Sequence, residues 1–412
     1  MAGYRLEHRY NMGSRSLTNQ MEVFYRKHVA VNQREMDRMA SIYDSLKSPI
    51  RDFLQQHLPF DIGDLIERGN TFDGPKITKP HEINVLVPLE IPESYWRFED
   101  CPSDRCFVKI SERWRDPAVH SNLKMDGFLS ASRVRALFLG VVQRLADKYM
   151  VGTFILKPCS VGPGMTLEVH RGITKLISVH LMPLVKLGDT WLIAKPHPKA
   201  VDNPYDPESL LWRRFYAHQE SPYIKNLPKD SLKILMIIGA IRKEYYAPMG
   251  MLPWHVYKVA FLHWHHKEER RSDSLSRKAI SFLHCLSRVV STGVLHPYPD
   301  SDRNANLLKC FNAVSLDNVS SFVGAMARSE SRFSAAMSRQ SGIRRSFTDF
   351  ISEISFWYFV IQIAALLFYL ITSSAIDFGP RSSYLSLLTS FGIAFILVFI
   401  PPAAHVYNYV KS

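Results

Sequence analysis

A strand-like run at residues 83–91 (INVLVPLEI) is preceded by a carboxylate at Glu82. Side chains two apart on a strand face the same way, so Glu82 and Asn84 project together. Two acids at that spacing would form half of a site for a pair of divalent metal ions, which need hard oxygen ligands at close range. The third acid of such a site would come from a neighbouring strand. In KLISVHLMPL, residues 175–184, His180 occupies that place. Asn84 offers a neutral carbonyl oxygen and His180 a nitrogen that Mg²⁺ binds poorly, so only Glu82 keeps a metal carboxylate. Glu168, on the strand before His180, is the nearest substitute.

Other chemistry-bearing groups are less organised. The run WHVYKVAFLHWHHK, from residue 254, holds His255, His263, His265 and His266. On a helix His263 and His266 share a face, but His255 lies three turns from His266, about 16 Å along the axis. These read as surface or partly buried histidines. VGPGMT at 161–166 lacks a following helix and a Lys at Walker spacing, which makes it a hairpin turn and not a phosphate loop. The five cysteines, Cys101, Cys106, Cys159, Cys285 and Cys310, are irregularly spaced and imply a reducing compartment without a disulfide framework.

Those groups need elements to carry them. Residues 18–47 read as one long helix with Met36, Met39, Ile42 and Leu46 on its apolar stripe, continued by Ile50, Phe53 and Leu54 to a break at Pro59. A β-rich stretch follows, with strands at 83–91 and 106–110. Ser130 then caps a helix whose apolar face is Val134, Leu137, Phe138, Val141, Val142 and Leu145. A hairpin joins strands at 165–170 and 173–184 through Arg171-Gly172. From residue 209 the pattern turns helical, around 211–218, 232–244, 254–268, 275–290 and 316–328.

Charge and hydropathy divide the chain again. Residues 351–412 carry only Glu353, Asp377, Arg381 and Lys411, so the whole net charge of +13 (51 − 38) sits in residues 1–350. Such an excess suits an anionic partner: lipid headgroups, nucleic acid or a phosphorylated small molecule. Exposed-face cations on the first helix (Arg26, Lys27, Arg34, Arg38) are one candidate surface. Residues 354–376 are 23 uncharged residues, long enough to span a bilayer. A second apolar segment, 384–404, is interrupted by Pro401 and Pro402. Together they predict a transmembrane hairpin. Arg332, Arg339, Arg344 and Arg345 before it, against Arg381 alone in its loop, place the soluble region and the C-terminus in the cytosol. The membrane itself is left open between the endoplasmic reticulum, another intracellular membrane and the plasma membrane.

Around these residues the chain resembles the Mab-21 family, which includes the cyclic GMP-AMP synthase-like receptors. That family's nucleotidyltransferase signature is a Gly-Ser pair, an acid-x-acid on a strand and a third acid on a later strand. Here Gly69-Asn70, Glu82-Ile83-Asn84 and His180 stand at those positions, in the contexts KITKPHEIN and ITKLISVHL. DGFLSASRVRALF, LLWRRFYAHQE, WHVYKVAFLHWHHKEE and CLSRVVSTGVLHPYPDSDRN follow in family order. The resemblance implies an α+β, bilobal nucleotidyltransferase fold with a spine helix, a mixed-sheet lobe and a helical lobe. We therefore expect an N-terminal tail at 1–17, spine helix and α/β lobe at 18–208, and helical lobe at 209–330. A basic linker at 331–353 and the membrane hairpin at 354–410 complete the chain. It also implies nucleotide contacts from Gly69, Asn70 and Glu82, and Mg²⁺ or Mn²⁺ as cofactor where the family's enzyme is active. With one of three carboxylates kept, the expectation is a membrane-tethered module without nucleotide transfer, binding a ligand or a protein partner. The alternative is a receptor making a nucleotide second messenger from ATP and GTP when nucleic acid binds.

Overall fold

The computed structural model describes residues 16–30, 32–68, 82–116, 119–148, 150–151, 153–159, 165–195, 197, 207–268, 274–299 and 302–338. The chain divides into two compact units, Met1–Met337 and Ser338–Ser412, and the described residues belong almost wholly to the first. Gly69, Asn70 and both expected membrane segments, 354–376 and 384–404, lie outside the described residues. Among the described residues, no helix is long and apolar enough to cross a membrane.

The expected single helix at 18–47 is two. Helix α1 (Leu17–Phe24) is capped by Ser16, whose hydroxyl accepts from the Asn19 N–H, and runs into a π-helical turn at Tyr25–Val29. Ala30 and Asn32 are extended, and Asn32 then caps α2 (Gln33–His57) by accepting from the Arg34 N–H at 3.0 Å. Asparagine favours a cap over a helix interior because its side chain competes for backbone groups. The two helices also serve different cores. Leu17, Met21 and Phe24 pack with the later helices, whereas Met39, Tyr43, Leu46, Ile50, Phe53 and Leu54 pack beneath the sheet.

Next come β1 (Asp61–Ile62), β2 (Ile66–Arg68), β3 (Glu82–Glu90), β4 (Trp96–Asp100), β5 (Phe107–Glu112), β6 (Lys124–Met125) and β7 (Phe128–Leu129). Helix α3 (Ala131–Lys148) begins where expected, with the Ser130 hydroxyl accepting from the Arg133 N–H. It is followed by β8 (Met150–Val151), β9 (Phe154–Cys159), β10 (Met165–Arg171), β11 (Thr174–Leu187), β12 (Thr190–Ile193) and β13 (Trp212–Arg214). Gly172 supplies the left-handed residue (φ +59°) of the β10–β11 turn. All thirteen strands join one mixed sheet. The 14-residue β11 organises it. Antiparallel β10 and β12 share one of its edges, and β3 pairs with the other in parallel.

Residues 211–218, expected as helix, split instead. Trp212–Arg214 is a strand between β12 and β5, and α4 (Ala217–Lys225) starts only at residue 217. Tertiary context overrides local pattern here, because Trp212 is fully buried and its indole N–H donates to the Leu129 carbonyl at 2.8 Å. The sheet therefore extends past residue 208.

The remaining helices are α5 (Lys229–Glu244), α6 (Tyr246–Met249), α7 (Trp254–Glu268), α8 (Leu275–Thr292), α9 (Ala313–Arg328) and α10 (Glu330–Ser338). Residues 331–338, expected as linker, are helical. Phe333, Ala336 and Met337 bury into the helical core, and Ser334 hydrogen-bonds Gln20 on α1. Two cores result. One lies between α2, α3 and a single face of the sheet, and the other inside the helical lobe. A third, small apolar cluster of Leu86, Leu184 and Ile193 lies on the opposite face of the sheet.

Candidate functional site

Strand register decides which side chains meet on that second face. Ile83, Val85 and Val87 point into the core, so Glu82, Asn84 and Leu86 point the other way. Parallel pairing sets Asn84 beside His180 and Glu82 beside Ser178. Antiparallel pairing sets Thr166 beside His180 and Glu168 beside Ser178. Two adjacent rows follow, Thr166–His180–Asn84 and Glu168–Ser178–Glu82. The structure thus brings Glu82, Asn84 and His180 together on one face, and adds Glu168 to that face.

His180 is half-buried, and its Nδ1 lies 2.7 Å from the hydroxyl of buried Thr166, leaving Nε2 as the free nitrogen. Burial holds its pKa below the ordinary imidazole value, with Glu82 opposing and Lys175 assisting, so the ring is neutral at neutral pH. Glu82 is exposed and Asn84 half-buried. The Glu168 carboxylate belongs to its own hairpin. It pairs with Lys175 and stands 3.2 Å from His170 Nε2, and these contacts, Lys175 first, lower its pKa. Two strand spacings, about 10 Å, also separate it from Glu82. Glu168 is therefore no substitute for the missing acids. Among the described residues, no group of three or more His, Cys, Asp or Glu side chains is arranged to hold a metal. The pair of Mg²⁺ or Mn²⁺ ions implied by the resemblance does not fit these donors.

A second cluster occupies the same face further along. Ile193 pairs with Leu184 of β11 and with Arg213 of β13, which puts Arg213 on the His180 side of the sheet. Its guanidinium lies 3.0 Å from His255 Nε2 on α7 and 5.9 Å from the Phe107 ring centroid. Burial, then the charges of Arg213 and Lys195, push His255 far below the usual pKa, so it accepts from Arg213 as a neutral ring. Lys195 follows β12, and burial together with Arg213 pushes it down to about 8. The nearby Cys106 thiol is raised to about 12 by burial and Cys310 is raised too, so neither supplies negative charge. Asp104 is engaged locally, accepting from the Cys106 N–H at 3.0 Å. Among the described residues, neither Lys195 nor Arg213 makes an ion pair with a carboxylate. Both cations are half-buried, and a partly desolvated cation gains from an opposite charge, so this pair invites an anion from outside.

Sequence reasoning missed this cluster. Arg213 sat in a segment read as helix, Lys195 in an unassigned stretch, and His255 among four histidines of no clear geometry. The signal available was local: a lysine closing a strand (WLIAK) and an Arg-Arg pair after a tryptophan (LWRR). The other three histidines, expected as surface or partly buried residues, gather instead around one hollow, and His265 is buried. His263 Nε2 bonds the His296 carbonyl at 3.0 Å, and His265 and His266 line this hollow of about 510 Å³ with Tyr223 and Tyr298.

Comparison with known proteins agrees with this architecture. Residues 71–226 match the Mab-21 protein nucleotidyltransferase domain. The cyclic GMP-AMP synthase-like receptor 3 of Stylophora pistillata is 23% identical over 288 residues, which cover 65% of this chain and 83% of that protein.

Proposed function

We propose that this chain, a member of the Mab-21 nucleotidyltransferase family by its residues 71–226, is a membrane-tethered module that holds an anionic ligand and does not transfer nucleotides. The half-buried pair Lys195–Arg213, without a carboxylate partner among the described residues, carries this reading. It stands on the same sheet face as Glu82, Asn84 and His180, about 13 Å along β11 and about 10 Å across the sheet from His180. That span suits a nucleotide-sized molecule. Its phosphates would lie on Lys195 and the planar fork of Arg213, and polar atoms of Asn84 and His180 would meet its other end. The related protein's name supports a nucleotide as ligand class. Gly69 and Asn70 would border the same ligand. Segments 354–376 and 384–404 would anchor the module as an integral membrane protein, with the folded region and C-terminus cytosolic, so that occupancy is presented to a protein partner there.

Transfer of a nucleotide needs charge neutralised on attacking and leaving oxygens, usually by two metal ions. One exposed carboxylate does not organise two ions. Incubating the full chain with ATP, GTP and Mg²⁺ or Mn²⁺, with and without double-stranded nucleic acid, is expected to give no oligonucleotide product. Nucleotide alone should raise the melting temperature. A metal-dependent product abolished by Glu82→Ala would overturn the reading. It would favour the second one, an active receptor, for which the exposed Arg26, Lys27, Arg34 and Arg38 offer a nucleic-acid surface.

A further inference from the structure

We infer that the cleft on this sheet face takes a phosphate-bearing anion without any divalent cation. The inference rests on the ligand-holding reading above and says how that ligand is held. Three observations converge. The metal end has Glu82 as its one anionic donor: Asn84 is neutral, and His180 presents a nitrogen, with its other nitrogen tied to Thr166. Glu168, the acid across β11 from Glu82, is committed to Lys175 and His170. The cations that phosphate needs are already supplied by protein at Lys195 and Arg213, half-buried and without a carboxylate partner among the described residues.

Charge makes the point independently. Glu82, Lys195 and Arg213 sum to +1 (−1 + 1 + 1) with His180 and His255 neutral, so an anion is attracted before any metal arrives. Two dications would raise these three residues and their ions to +5, Glu82 included. A fixed guanidinium in low dielectric binds phosphate oxygens bidentately and needs no ion to bridge it. A triphosphate held this way has its charge met at the Lys195–Arg213 end, away from Glu82.

The test is titration of the full chain in detergent or nanodiscs with ATP, GTP and inorganic tripolyphosphate. Parallel series contain EDTA, MgCl₂, MnCl₂ or ZnCl₂. Dissociation constants in EDTA and in each metal are expected to agree within about threefold. Lys195→Gln and Arg213→Gln should each weaken binding in EDTA by about tenfold or more, with melting temperature confirming a folded protein. The double variant Asn84→Asp/His180→Asp, which rebuilds three carboxylates, should become metal-responsive, binding ATP about tenfold tighter with Mg²⁺ than with EDTA. Tenfold tightening of the natural chain by Mg²⁺, Mn²⁺ or Zn²⁺ would overturn the inference while leaving the ligand site standing. Cation variants that bind as the parent does, or a rebuilt variant indifferent to metal, would overturn it too. Binding of none of the probes in any series would remove the ligand-holding reading itself, and the inference with it.

Discussion

The two ends of one sheet face differ in how they are built. At the β3–β11–β10 end, Glu82 is exposed and Asn84 and His180 half-buried, and their support is strand register plus one side-chain hydrogen bond from Thr166. At the β12–β13 end, half-buried Arg213 lies against Phe107 and His255 of α7, with half-buried Lys195 within reach of its charge. A change at Glu82 leaves the fold intact because its side chain is exposed. Loss of a cation at the second would leave a cavity or an unpaired neighbour. A face can therefore lose its metal chemistry while its anion-binding half stays committed by packing.

The sharpest way to break this contrast is Trp212→Ala. Trp212 is the buried residue that fixes β13, and its removal should cost about 3–5 kcal/mol of stability. Chemical denaturation would measure that loss. Phosphate binding should fall with it while the His180 imidazole resonance of the folded fraction stays in place; a moved His180 signal would mean the two ends are coupled.

A second effect is pH dependence of ligand affinity. Lys195 is charged below about 8, so affinity for tripolyphosphate should hold from pH 6 to 7.5 and fall as pH rises through 8. Without ligand the sign reverses. A lysine whose folded pKa is depressed loses less by folding once deprotonated, so stability of the ligand-free chain should rise between about pH 8 and 10. The Lys195→Gln variant should flatten both profiles.

The smallest expected effect sharpens the other end. Glu82→Gln should change stability by less than about 0.5 kcal/mol, because the side chain is exposed. It should, however, lower the His180 pKa further by removing the nearest opposing charge, a shift that imidazole NMR would follow.

Much of the architecture was legible because it is periodic. Helix α7 runs over the residues whose apolar spacing predicted it, α3 starts at its Ser130 cap, and β3 opens on Glu82. The relation of Asn84 to His180 was also legible, since motif order fixed their positions and parity fixed their faces. The division of the first helix was not, because it answers to two cores that no local pattern separates. Strand β13 was missed for a related reason: three residues are too few to show a period, and Trp212 is held by contacts 83 positions away.

By itself, the sequence determined the longer periodic elements such as α3, α7 and β3, the single carboxylate Glu82 among three positions and the two apolar segments near the C-terminus, all of which follow from composition and short-range spacing. Tertiary structure alone decided that Lys195, Arg213 and His255 meet. They lie on β12's exit, β13 and α7, and only the packing of α7 against the sheet brings them together and partly desolvates them. Burial and mutual repulsion are long-range electrostatic facts, set by what surrounds a group and not by what adjoins it in the chain.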